Sequence, residues 1–252
     1  PRASRRIRIG QVVRDDVHSP ALDVVTNNLA NATTPGFKED SLLTRSFSDL
    51  LIERINDPAV VGADTEVGPL NTGIHVDMID TSFTSGVLEQ TGRSADLALE
   101  GTGFFVVETP QGERYTRAGA FQVSAGGELV TPEGYPILGL NGPIRVSDEE
   151  FLVSADGTVQ SGAGSDRIRL VSFEDTGMLR KEGANLFTAF GGEPLPATTT
   201  RIRQGSLESA NVDLAGQMVD MIEISRNHEL NQRIVRMMDE KLGKSASEIG
   251  RL

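Results

Sequence analysis

The 252-residue chain offers few side chains that could do covalent chemistry. Its three histidines, His18, His75 and His228, fall in distant segments, with none of the short spacings from which a zinc-type site is built. Cysteine is absent, which removes thiolate metal sites, cysteine nucleophiles and disulfides together. Neither a G-x-S-x-G elbow nor an H-E-x-x-H helix motif is present. The run Gly101-Thr102-Gly103-Phe104-Phe105 has the glycines of a phosphate cradle, but it leads into a β-prone run. Without a helix N-terminus the anion-binding end is missing. These glycines fit a tight turn or bulge at the start of a strand instead. Asp148, Glu149 and Glu150 are sequence neighbours that suit a solvated surface. The expectation is a protein that is not an enzyme and has no catalytic, cofactor or metal residues.

Composition narrows the partners. The net charge of −12 repels phosphate backbones, and with no tryptophan and two tyrosines there is little to stack on bases or sugars, so no nucleic acid is expected. No run of about 18 apolar residues exists to span a membrane. The opening residues, PRASRRIRIGQVVRDD, are basic but lack the apolar core of a secretory signal. The chain reads as either cytoplasmic or exported by a route that needs no such signal.

The elements that position the remaining polar residues follow from local pattern. Ser19-Pro20 reads as an N-cap followed by proline at the first helical position. Leu22, Val25 and Leu29 recur on one helical face through Ala30, and Pro35-Gly36 ends the segment. Inside this short helix stand Asn27 and Asn28, a costly polar pair, with Asn31 placed to close its end. Residues 38–80 are mixed, with a short helix expected around 47–55. From 81 to 203 short apolar runs alternate with glycine-containing turns: Thr109-Pro110-Gln111-Gly112 fits a type I turn and Asp156-Gly157 a hairpin. This region is expected to be all-β. From Asn211 onward a helix over 213–242 is expected, capped by Asn211 or Asp213, with Glu229–Arg233 and Glu240–Lys244 pairs. Its apolar residues change sides: Leu214, Met218, Met221 and Ile222 first, then Leu230, Ile234, Met237 and Met238 on the opposite face. A break near Asn227, folding two short helices together, is the alternative.

Three ordered segments carry a family resemblance. ALDVVTNNLANATTPGFKED resembles the N-terminal signature of bacterial flagellar rod and hook proteins. LEQTGRSADLALEGTGFFVVETPQGERYTRAGAFQVSAGGELVTPEGYPILG is similar to their shared β segment, and GSLESANVDLAGQMVDMIEISRNHELNQRIV to their C-terminal helix signature. The length and LVSFEDTGMLRKEGANLF look more like a proximal-rod than a distal-rod subunit. Residues 1–19 depart from the family, which carries an apolar helix there, and Pro20 falls where that helix would continue.

The resemblance implies a mainly β central domain of short antiparallel strands and hairpins, with N- and C-terminal α-helices that pair as an axial coiled-coil-like unit. The expected division is 1–36 for the N-terminal part of the axial unit, 37–80 for an irregular linker, 81–203 for the β domain and 204–252 for the axial helix. It implies a structural rod subunit in the flagellar basal body, exported by the flagellar type III apparatus, with copies of itself and other rod and hook subunits as partners. The expected assembly interface is Leu22, Val25, Asn27, Asn28, Leu29, Asn31, Pro35, Gly36, Phe37, Val212, Leu214, Met218, Met221, Ile222, Leu230, Ile234, Met237 and Met238. Both terminal segments are expected to be mobile before assembly. A secreted β-rich adhesin-like module is the alternative from another class.

Overall fold

The computed structural model describes residues 20–46, 50–53, 66–70, 74–146, 151–162 and 164–249. The chain divides into two units, one of Pro1–Leu29, Asp40–Asp80 and Leu214–Leu252, the other of Ala30–Glu39 and Thr81–Asp213. His18 and the expected cap Ser19 lie outside the described residues, as do Asp148, Glu149 and Glu150.

Among its described residues the first unit has two helices and two strand pairs. Helix α1 covers residues 20–30. Strands β1 (Asp40–Ser46), β2 (Leu50–Glu53), β3 (Glu66–Leu70) and β4 (Ile74–Thr81) follow. β1 pairs with β4, and β2 with β3 in antiparallel register, Leu50 opposite Leu70. The expected linker therefore carries strands; of the helix expected near 47–55, residues 50–53 form β2, and the rest lies outside the described residues. A short apolar run such as Leu50-Leu51-Ile52 fits either period, and a cross-strand partner decides between them. Helix α2 runs from Leu214 to Ile249 without a break, 36 residues and about 54 Å at ~1.5 Å per residue. The two-helix alternative at Asn227 does not occur, and α2 extends beyond the expected 213–242.

The second unit is built on an antiparallel six-stranded sheet. β5 (Leu88–Gln90) and β6 (Leu97–Glu100) precede its central hairpin, β7 (Phe104–Thr109) and β8 (Gly112–Thr116), closed by Pro110-Gln111 with Thr109 opposite Gly112. Short ladders join β9 (Gln122–Val123) to β10 (Leu129–Val130), and β11 (Leu152–Val153), β12 (Thr158–Ser161) and β13 (Gly164–Arg167) to one another. β14 (Leu170–Ser172), β15 (Leu179–Gly183), β16 (Leu186–Ala189) and β17 (Leu195–Pro196) complete the large sheet in the order β15-β16-β8-β7-β14-β17. The last strands, β18 (Arg201–Gln204) and β19 (Ser206–Glu208), pair with β6 and β5. The β region thus runs to Glu208, past the expected limit at 203.

β7 shows why the unit holds together. Successive side chains on a strand point to opposite faces. Phe105 and Val107 enter one core cluster with Phe121, Ile137 and Ile144, while Phe104 and Val106 enter a second with Val171 and Phe187. The continuous apolar run Phe104-Phe105-Val106-Val107 is a central strand covered on both sides. Phe83 adds edge-on contacts to Phe104 and Phe187, with centroids 5.5 and 5.1 Å apart.

Candidate assembly surface and the joint behind it

Helix α1 places its apolar residues inward. Val24 and Val25 are buried, Leu22 and Leu29 half-buried, and Asn27 exposed. Asn28 is 1% exposed. Its amide is both donor and acceptor, and the backbone of Asp40 uses both: Nδ2 donates to Asp40 O at 2.7 Å and Oδ1 accepts from Asp40 N at 3.0 Å. Nδ2 also lies 3.2 Å from Oε1 of Gln217, a buried residue of α2. Asn28 was expected at a contact between subunits, and it proves to be enclosed within its own chain. The polar pair has a division of labour: Asn28 ties α1, β1 and α2 together, and Asn27 faces outward.

Past α1 the chain enters the second unit. Asn31 closes the turn, its carbonyl accepting from Thr34 N at 2.9 Å and its Oδ1 from Thr34 Oγ1 at 3.3 Å. Gly36 donates its N–H to Glu208 O at 2.7 Å with φ +70°, a conformation that suits glycine. A Cβ there would stand 2.5 Å from Ala118 N and 2.6 Å from Ala118 Cα, so no other residue fits. Phe37 is 2% exposed, and Lys181 places Nζ 3.9 Å over its ring while donating to Lys38 O at 2.8 Å. Gly36 and Phe37, expected at the assembly interface, are closed off inside the chain, and Pro35 is half-buried beside them. Close packing against Ala118 and Lys181 encloses the Gly36 backbone and the Phe37 ring.

Lys38 is the unexpected member of this joint. It is fully buried, with Nζ 2.7 Å from both Glu208 Oε1 and Thr84 O. Glu208 also accepts from Gly86 N at 2.9 Å, and its second oxygen lies 3.1 Å from Arg117 Nε, an ion contact without hydrogen-bond alignment. Arg117 is itself fixed by Nη1 donating to the carbonyls of Gly101 and Gly103, at 2.7 and 2.6 Å. The glycine run that resembled a phosphate cradle therefore holds a cation through carbonyls. Burial lowers the Lys38 pKa from its ordinary value, the Glu208 hydrogen bond and charge oppose this, and the Arg117 charge adds to the lowering.

Asn211 completes the joint. Its Oδ1 accepts from Glu39 N at 2.7 Å, while Nδ2 donates to Ser82 O at 2.8 Å and lies 2.9 Å from Thr84 Oγ1. Asn211 is thus engaged with residues 39, 82 and 84 rather than capping α2, which leaves Asp213 as the residue before Leu214. Val212 is half-buried between them.

The surface lies on α2. Leu214, Met218, Val219, Ile222, Leu230, Ile234, Met237, Met238 and Leu242 are each at least 41% exposed, and Met221 is half-buried. Among the described residues no helix is apolar enough to cross a membrane, and no three His, Asp or Glu side chains stand close enough to share a metal ion.

Three family profiles match in order along the chain: "Flagella basal body rod protein" over residues 19–38, "Flagellar hook protein FlgE/F/G D1 domain" over 98–161, and "Flagellar basal body rod FlgEFG protein C-terminal" over 203–248. The flagellar basal-body rod protein FlgF of Caulobacter vibrioides is 35% identical over 236 residues, covering 92% of this chain and 91% of the relative. The FlgG rod protein of Bacillus subtilis (strain 168) is 33% identical over 241 residues, covering 88% and 90%. The chain belongs to the flagellar basal-body rod protein family. In this rod-family chain the ion cluster takes one residue from each matched segment: Lys38, Arg117 and Glu208.

Lys38, Arg117, Glu208, Asn211 and Gln217 were not among the expected site residues. For the three ions no local signal exists, because charged residues ordinarily mark the surface. Asn211 carries a weak signal: it stands three residues before a helix that another residue can cap.

Proposed function

We propose that this rod-family subunit polymerises through its terminal helices into a helical axial assembly, α1 and α2 pairing as a coiled-coil-like core. The observation that carries the reading is α2 itself, along which nine large apolar side chains among the described residues are exposed in the single chain. Such a patch is a liability on a monomer and an interface in an assembly. A polymer of this kind needs heterologous contacts, in which one patch meets a different patch on the next copy. The change of sides along α2, from Leu214–Ile222 to Leu230–Met238, supports two neighbours at two heights.

On this reading the subunit is exported by the flagellar type III apparatus and sits in the periplasm-spanning rod, other rod and hook subunits being its neighbours. The resemblance in LVSFEDTGMLRKEGANLF favours the proximal part of the rod. Electron microscopy of basal bodies from a strain deleted for this gene is the test. Loss of a rod segment is expected, and intact, motile flagella would refute the proposal.

A further inference from the structure

We propose that Asn141 is a site of spontaneous covalent modification, where the side-chain amide is lost as ammonia through a cyclic imide formed with Gly142. The backbone N of Gly142 attacks Asn141 Cγ, the Cγ–Nδ2 bond breaks, and the amide leaves with the proton of the Gly142 N–H. Water then opens the imide. Attack at Cγ leaves an aspartyl residue; attack at the main-chain carbonyl carbon leaves an isoaspartyl residue, whose main chain runs through Cγ. Water is the only co-reactant, and nothing is oxidised or reduced.

Ring closure needs an unobstructed following residue, a free attacking nitrogen and a carboxamide able to turn. Asn141-Gly142 is the only Asn-Gly pair in the chain. Glycine has no Cβ to hinder the approach, and even a Cβ built on Gly142 would meet no atom within 4 Å. Asn141 is exposed. Among the described residues the Gly142 N–H makes no hydrogen bond, while its carbonyl accepts from Gly139 N at 2.7 Å. One hydrogen bond holds the carboxamide, Nδ2 donating to Asp166 Oδ1 at 2.9 Å.

The chain's one Asp-Gly pair, Asp156-Gly157, could close the same ring, but its turn is tied. Gly157 N donates to Ser154 O at 2.9 Å, and the Asp156 carboxylate accepts from Thr158 N at 3.2 Å and Thr158 Oγ1 at 2.9 Å. The Thr158 backbone bond first, then the hydroxyl, lower the Asp156 pKa and keep it a carboxylate, a poor target for a nitrogen nucleophile. Conversion at Asn141 alters the loop in either product. In the aspartyl form an acceptor replaces the donor Nδ2, so two carboxylates face each other and the tie to Asp166 on β13 is lost. The isoaspartyl form adds a carbon to the main chain inside the loop that Gly139 N and Gly142 O close.

Ageing the purified full chain at neutral and at alkaline pH tests this. Products are read by peptide mass mapping and by methyl labelling with an isoaspartyl methyltransferase and S-adenosylmethionine. Asn141 is expected to convert, faster at alkaline pH because the attacking nitrogen must lose its proton. It should convert about tenfold or more faster than Asp156, where two further hydrogen bonds must break. Asn141→Gln, which would have to close a larger ring, is expected to lose most of the methyl label. Circular dichroism confirms that this variant keeps the fold. An Asn141 that stays intact at alkaline pH, conversion of Asp156 ahead of it, or equal labelling of wild type and Asn141→Gln overturns the proposal.

Discussion

Replacing Glu208 by Gln should destabilise the second unit more than removing either cation that faces it. Lys38, Glu208 and Arg117 are 0%, 0% and 3% exposed at the side chain, so the cluster carries two cations and one anion away from water. In Glu208→Gln both cations remain and no anion does; breaking a buried pair this way costs about 3–5 kcal/mol. In Lys38→Met the anion keeps Arg117 at 3.1 Å and Gly86 N at 2.9 Å, and Thr84 O keeps Asn211 Nδ2 at 3.2 Å. The loss is then a hydrogen bond to a charged group, about 1.5–3 kcal/mol. Adding Lys38→Met to Glu208→Gln removes the surplus cation, so the double variant should be more stable than Glu208→Gln alone. Urea unfolding followed by tyrosine fluorescence reads this directly. The chain has no tryptophan, and both tyrosines, Tyr115 and Tyr135, lie in the second unit. A loss of ~4 kcal/mol corresponds to a fall in melting temperature of about 8–16 °C for a chain of this size. If Lys38→Met proves the more damaging single change, or Glu208→Gln costs less than about 1 kcal/mol, the assignment of Glu208 as the hub is wrong.

Gly36→Ala should undock residues 35–39, because its Cβ meets the Ala118 backbone at 2.5 Å; faster proteolysis in that segment is the expected readout, and unchanged protection counts against it. Asn28→Leu removes both hydrogen bonds to the Asp40 backbone and should cost the first unit about 2 kcal/mol or more. It should leave the tyrosine-reported unfolding of the second unit unchanged and reduce assembly; a shift in that transition would contradict the separation. A fragment of residues 81–203 lacks Lys38 and Glu208, and should unfold at lower urea than one of residues 30–213; equal midpoints would show that the joint adds nothing. Lys38 also predicts a pH effect. Its folded pKa lies below the ordinary 10.5, so between the two values the unfolded chain binds more protons and stability rises with pH. Wild type should therefore gain on Lys38→Met as the pH approaches 10.5, measured by urea unfolding, and a widening loss would reverse the sign.

Local pattern determined the elements. The apolar spacing of Leu22, Val25 and Leu29 marked α1, the run Phe104–Val107 and the turns at Pro110 and Gly157 marked strands and hairpins, and the uninterrupted stretch after Asp213 marked α2. Each of these signals lies within a few residues of what it specifies. Where a short run such as Leu50-Leu51-Ile52 fitted two periods, the distant partner β3 decided. The joint was decided in the same way. Nothing near Lys38 says that it is buried, since its acceptor is 170 residues away, and Asn28 meets Gln217 at a separation of 189. A lysine or an asparagine is polar in every local window, and whether it faces water or a partner depends on which segments tertiary folding brings beside it. The sequence determined the parts and the apolar pattern of α2; only the tertiary structure decided that this pattern is exposed and that the signature turn after α1 is held from within, by ions drawn from three separate segments and shielded from water.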